Sequence, residues 1–298
     1  MKNVLNYSHV TPIEQTVAEI GESPLWDHRL NRLYWVDIMQ GQVSWMDMKT
    51  GRRPFIKLAT SVGTLALSDD PEQIILASGD GFALLHLQTE IVTPIHDPEA
   101  EIDGNRFNDG KIDPRGCFWA GTMAIDGQGT AGSLYCLDAD GQVERKLTDV
   151  ACSNGLVWNQ AHDTFYYIDT GKRSVDAFDY DLSTGVISNR RILLSIGEED
   201  GYPDGMTIDA EGALWVALWG ASSVIRFDPV SQTIIHRIDL PVSQVTSCVF
   251  GGDDFSTLFI STANIGLTDT QKANEPLAGS IFTTEVGVKG LASAFYKS

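Results

Sequence analysis

The sequence predicts an all-β chain folded as a six-bladed β-propeller with four antiparallel strands per blade. Two observations carry that expectation. One is a phrase with a fixed internal offset. Glu22-Ser-Pro-Leu-Trp-Asp27, Asn108-Asp-Gly-Lys-Ile-Asp113, Asn154-Gly-Leu-Val-Trp-Asn159 and Asp204-Gly-Met-Thr-Ile-Asp209 each set a polar residue five positions ahead of an Asp or Asn. The other is its spacing. With weaker copies at Val62 and Ser247, the phrase starts at residues 22, 62, 108, 154, 204 and 247, a repeat of 40 to 50 residues. A period of that size built from short strands is that of a propeller blade. A sandwich of ordinary hairpins would show the same alternation of apolar and polar residues without the fixed offset.

Taken in order, residues 1 to 18 supply a closing strand and its connections. Thr11 to Ala18 and Ser280 to Thr284 are the candidates for a blade shared between the two termini. Gly21-Glu22-Ser23-Pro24 opens the first blade, which continues through Leu33-Tyr-Trp-Val36. Residues 60 to 97 form a blade without a charged mouth, turning at Asp69-Asp70-Pro71 and Gly79-Asp80-Gly81. In the third, Glu99, Glu101, Asp103, Arg106, Asn108 and Asp109 crowd ahead of the strand at Phe118, and Ala124 to Gly132 form a Gly-rich loop carrying Asp126. In the fifth, Pro203-Asp204-Gly205 and Ala210-Glu211-Gly212 have turn composition. The apolar runs Met206 to Ile208 and Leu214 to Trp219 read as strands. Val175 to Tyr180 and Ser223 to Asp228 are third strands, and Ile234 to Ile238 is a fourth. Residues 246 to 298 make the last blade, with a long polar loop from Asn264 to Ala278. No linker interrupts the phasing, so residues 1–298 read as a single domain.

A formal net charge of -19, from 40 acidic and 21 basic residues, argues against nucleic acid and anionic membrane as partners. No run of about 18 apolar residues suggests a membrane span. Met1 to Ile20 lacks the basic and apolar regions of a signal peptide. Cys117, Cys136, Cys152 and Cys248 are scattered, without CxxC spacing, as reduced buried cysteines of a cytoplasmic protein would be. Asn6-Tyr-Ser8 fits a glycosylation sequon but has no meaning without secretion. A monomer is compatible with the pattern.

Function follows from the phasing. The first strand of each blade lines a propeller's central channel, so blade-equivalent residues converge. Glu22, Asn108, Asn154 and Asp204 are equivalent by the offset and meet near one mouth. Read singly, Asn154 and Asp204 are turn residues before Gly, and Glu22 and Arg106 are surface charges. Read together, two carboxylates and amide oxygens suit a hard divalent cation such as Ca²⁺, Mg²⁺ or Mn²⁺. Without it, Glu22 and Asp204 would repel and one would hold its proton. Other signals fail. Gly127-Gln-Gly-Thr-Ala-Gly132 matches GxGxxG, but a strand from Ser133 follows it rather than a helix. Asp103 to Asp109 lacks the closing acid of a calcium loop. No GxSxG elbow and no HExxH pair is present.

Several stretches together carry a resemblance over nearly the whole chain. They are Gly21-Glu-Ser-Pro-Leu-Trp26, Arg106-Phe-Asn-Asp-Gly-Lys111, Ala120-Gly-Thr-Met123, Ser153-Asn-Gly-Leu156, Pro203-Asp-Gly-Met206, Leu214-Trp-Val-Ala217 and Thr246-Ser-Cys-Val-Phe-Gly-Gly252. The chain resembles the regucalcin/gluconolactonase family, also called the senescence-marker-protein family of sugar lactonases. The resemblance implies one divalent cation (Ca²⁺, Zn²⁺, Mn²⁺ or Mg²⁺) on Glu22, Asn154 and Asp204. It implies substrate contacts at Arg106, Asn108 and Asp126, the last one carbon shorter than the family's acid. The implied reaction is hydrolysis of a small sugar lactone, with the metal polarising the carbonyl and Asp204 as the candidate general base. The rivals are hydrolysis of another ester or a phosphotriester, a calcium-binding regulatory protein, and a protein-interaction propeller.

Overall fold

The computed structural model describes residues 5–7, 9–14 and 17–297. Ser8 of the sequon, residues 1–4, and Gln15 and Thr16 of the expected closing segment lie outside the described residues. Six antiparallel sheets of four strands form a ring. Their innermost strands are Gly21–Asp27, Val62–Leu67, Asn105–Ile112, Ser153–Trp158, Tyr202–Ile208 and Val245–Gly251, for blades 1 to 6. Each packs against the next, and the sixth returns to the first. These strands are buried along nearly their whole length. They pair with a second strand outwards and face neighbouring blades on both sides, so the usual polar-out alternation is lost.

The core is distributed. Six apolar clusters occur, one at each interface between successive blades. At the closing interface Trp26 of blade 1 stacks on Phe259 of blade 6, ring centroids 5.5 Å apart. Full burial of side chains of this kind is worth about 1.5–3 kcal/mol each. Closure is also by main chain. Thr11–Glu14 pairs antiparallel with Ile281–Glu285 as the outermost strand of blade 6, the shared blade expected from the two termini. Thr246 Oγ1 donates to Gly21 O at 2.6 Å across the same seam.

Three features differ from the expectation. Leu5–Tyr7 adds a parallel fifth strand to blade 5, against Thr233–Asp239. The polar loop after blade 6's second strand contains a short helix, Asp269–Asn274, started by a capping box between Thr268 and Gln271. Pro203-Asp204-Gly205 is not a turn but lies inside the strand Tyr202–Ile208. The Gly there serves close approach. A Cβ on Gly205 would fall 2.0 Å from Ser247 Oγ, and one on Gly155 would fall 2.6 Å from Met206 Cβ. The glycines that looked like turn residues therefore let neighbouring inner strands touch.

After blade 6 the chain crosses beneath the ring. Gly290 bridges to Asp209 of blade 5, and Tyr296 bridges to Ser68 of blade 2. Blades 5 and 2 stand opposite each other, so the segment between them spans the channel.

Candidate active site

Each inner strand has a register irregularity at the same place. In blade 1 it falls between Glu22 and Leu25, in blade 4 between Asn154 and Leu156, and in blade 5 between Pro203 and Met206. One extra residue per strand is a β-bulge, which re-aims the side chains beside it. The bulges therefore turn the blade-equivalent polar residues toward the channel. In blade 1 the bulge holds Ser23 at φ 52°, a left-handed conformation unusual for Ser. Its hydroxyl is fixed to Thr64 Oγ1 at 2.7 Å, in blade 2.

Glu22, Asn108, Asn154 and Asp204 are all buried, with 4%, 6%, 3% and 7% of their surface exposed. Asn108 Nδ2 donates to Asn154 Oδ1 at 2.9 Å and to Ser153 O at 2.8 Å. Arg106 Nη1 donates to Asn108 Oδ1 at 2.7 Å. Burial, and then the Asp109 carboxylate, pushes the Glu22 carboxyl up to about 8. Burial and then Glu22 itself hold the Asp204 carboxyl well above the usual carboxylate range. The Arg106 guanidinium pulls both back in part. Two buried acids with raised proton affinity, Asp204 through Glu22 and Asp109, and Glu22 through Asp109, call for a cation. Their oxygens and the Asn154 amide oxygen form a hard, all-oxygen donor set that fits a divalent ion.

Asp126 stands apart from this group. It is exposed on the loop after Phe118–Ala124, and its Oδ1 accepts from Gln128 N at 2.9 Å. It therefore sits on the rim of blade 3 rather than in the cluster.

The structure adds residues that sequence reading missed. Thr170 Oγ1 accepts from Asn154 Nδ2 at 2.7 Å and donates to Pro203 O at 2.8 Å. With its amide nitrogen so engaged, Asn154 keeps its oxygen on the side of Asn108. Thr170 follows the second strand of blade 4, where its N–H donates to Cys152 O at 3.0 Å, and its hydroxyl reaches back to Asn154. The buried Asp109 and the half-buried Lys111 stand two residues apart on the same inner strand and interact electrostatically. Burial raises the Asp109 carboxyl and lowers the Lys111 amine. Cys152 lies against Asn154, with Nδ2 to Sγ 3.5 Å. Burial and then Asp204 push its thiol up to about 12, so it remains an un-ionised thiol rather than a nucleophile.

A second group of metal-ligand atoms, from Asp113, Cys117 and Cys136, lies within 4.8 Å of one another and is buried. Its carboxylate is already committed. Asp113 accepts from Arg115 N, Cys117 N, Trp119 Nε1 and Tyr180 OH, at 2.8 to 3.0 Å.

Residues 20–264 match the model of the SMP-30/gluconolactonase/LRE-like family. The chain belongs to that family. It is 39% identical over 275 residues to a putative sugar lactone lactonase, YvrE, of Bacillus subtilis, covering 92% of this chain and 94% of that one. It is 41% identical over 278 residues to regucalcin of Gallus gallus, covering 91% and 93%. The solved structure of a regucalcin from Agrobacterium tumefaciens, described as a calcium-binding protein, superposes with a TM-score of 0.94. That match has 28% identity and covers 100% of both chains. Membership of the family and the six-bladed ring are thus both as the sequence predicted. Among the described residues no helix is long and apolar enough to cross a membrane.

Proposed function

We propose that this protein is a divalent-metal-dependent hydrolase that opens aldonolactones of the gluconolactone type to aldonic acids. Family membership, with a lactonase among the relatives, supports sugar-lactone hydrolysis in general. The observation that carries the finer reading is the burial of Glu22, Asn154 and Asp204 at blade-equivalent positions, with both acids pushed toward their protonated forms, Asp204 in part by Glu22. Glu22, Asn154 and Asp204 would hold the cation. When bound, it supplies charge neutralisation for both acids and Lewis-acid polarisation of an ester carbonyl.

The remaining chemistry is assigned to the chain's own groups. Arg106, fixed on Asn108, presents a guanidinium fork at the mouth and can bind sugar hydroxyls together with the Asn108 amide. Holding the ring there orients the lactone carbonyl toward the acids. Asp204 takes a proton from the attacking water as the new C–O bond forms. The acyl–oxygen bond of the ring then breaks, and the ring oxygen leaves as a hydroxyl after accepting a proton. Burial raises Asp204's proton affinity, the direction a general base needs, and a bound cation would lower it again. Asp126 on the rim is a contact for the distal hydroxyls.

The name of the Agrobacterium tumefaciens neighbour favours a second reading, a calcium-binding regulatory protein built on the same residues. Turnover separates the two. In a pH-indicator assay, gluconolactone should acidify faster with metal-loaded protein than with chelated protein. Equal rates in both would overturn the lactonase reading.

A further inference from the structure

A cavity of about 410 Å³ occupies the channel on the side away from the cluster of acids. Neither Glu22, Asn154, Asp204, Arg106 nor Asn108 lines it. Its walls are mostly apolar, including Leu25, Leu65, Ile112, Val157 and Ile208, and Lys111 with Asp109 stands among them. The crossing segment Leu291–Ala294 lines it as well. That segment is fastened at both ends, where Gly290 N donates to Phe255 O at 2.8 Å and Tyr296 N donates to Leu67 O at 2.8 Å. Between these anchors, residues 291–295 belong to no helix or strand. The cavity is thus roofed by a strap held only at its ends.

We propose that this cavity is a second ligand site, taking a small carboxylate with an apolar body, whose carboxylate is bound by Lys111. A volume of this size is within the range of small-molecule sites, about 300–1,000 Å³. The apolar walls contributed by Leu25, Leu65, Ile112, Val157 and Ile208 fit an apolar body. The head group is chosen by Lys111. Its ammonium has three donors, and one is used, by Met206 O at 2.8 Å. The side chain keeps some exposed surface although it stands deep in the channel, because it faces the cavity. An acceptor of negative charge would satisfy the remaining donors and offset the cost of burying the cation. Among the described residues no ion pair joins Asp109 to Lys111, and Asp109 Oδ1 accepts from Gly110 N at 2.7 Å. The cavity opens to solvent beside the exposed Gln160 and His162, which gives a ligand a way in.

The test uses 4-bromobenzoate and its neutral isostere 4-bromobenzamide on the full chain, with and without chelator. Saturable binding of the benzoate is expected in both conditions, because the site is separate from the acids. The benzamide should bind at least roughly tenfold more weakly, as should benzoate to Lys111→Met, the loss of one charge-assisted contact. In a soaked crystal the bromine should appear between Lys111 and the Leu291–Ala294 strap. Bromine only beside Glu22 and Asp204, binding abolished by chelator, equal affinity for benzamide, or no saturable binding would each overturn the proposal. The isostere comparison needs no variant, so it holds even where Lys111→Met fails to fold. The binding assay involves no lactone, so its outcome is independent of whether the protein turns one over.

Discussion

Asp204 and Asp209 stand five positions apart on one inner strand and its turn, and both are buried, with 7% and 0% of their surface exposed. Their surroundings are opposite. Asp209 accepts from Glu211 N, Ala213 N, Trp215 Nε1 and Arg226 Nε, at 2.7 to 3.0 Å. Asp204 has the backbone N–H of Gly205 and faces two other acids, Glu22 and Asp109. One carboxylate closes a turn, ties it to a Trp and an Arg, and is architecture. The other is left short of partners, which costs stability unless a cation arrives. The same division runs round the ring. Asp27 accepts three bonds from Arg29 and Asp113 accepts four, while Glu22, at the head of Asp27's phrase, has only the neighbouring Ser23 N–H at 2.6 Å. Burial alone therefore does not mark a functional acid; an unmet demand for positive charge does.

The largest expected effects would break or keep this contrast. Asp204→Ala should lower lactone turnover by about a thousandfold or more, the scale of losing a group that acts in the transition state. Its urea midpoint in chelator should stay level or rise, because a repelling buried acid is removed. Asp209→Ala should do the reverse and cost about 3–5 kcal/mol of stability in urea unfolding, since it takes one of two carboxylates from the buried Arg226 and removes the acceptor of Trp215 Nε1 and two backbone N–H groups. If Asp204→Ala unfolded and Asp209→Ala were silent, the assignment of the two acids would be wrong.

The next effects sharpen the contrast with pH. The Glu22 carboxyl is raised from 4.5 to about 8 in the fold. A raised acid contributes stability that is full below its unfolded value and is lost as pH rises through the folded one. The urea midpoint of chelated protein should therefore fall from about pH 5 to pH 8, with the stabilisation by added cation growing over the same window. At pH 7 cation binding should also release about one proton, measurable by calorimetry in buffers of different ionisation enthalpy. Binding without proton release would mean that Glu22 is already ionised before the cation arrives, against its raised proton affinity. The smallest effect concerns the hold on Asn154. Thr170→Val removes its hydroxyl and should cost about 1 kcal/mol in stability and weaken cation affinity, with Arg106 and Asn108 left in place.

Much of this was legible in the sequence. The offset from Glu22 to Asp27, and its copies from Asn108, Asn154 and Asp204, encodes both the turn residue and the channel residue of four blades, so spacing alone predicts the repeat and their convergence. The bulge was not legible. Asp204-Gly205 and Asn154-Gly155 carry the composition of a turn, and only the closeness of the next inner strand shows why Gly is there. Thr170 was missed because it acts across a strand pair, and single-sequence patterns do not give register. In the sequence Asp109 counts only within the polar crowd ahead of Phe118 and Lys111 carries no role, since alternation predicts nothing about a strand buried on every side. Asp126 had no local signal that could separate a rim position from the channel.

The central claim is that the oxygens of Glu22, Asn154 and Asp204 share one divalent cation. The most direct measurement is an anomalous difference map from a crystal soaked in manganese. The expected result is a single ion in contact with all three side chains, lost in Asp204→Ala. An ion at the Asp113, Cys117 and Cys136 group instead, or none within reach of Glu22, would contradict the account.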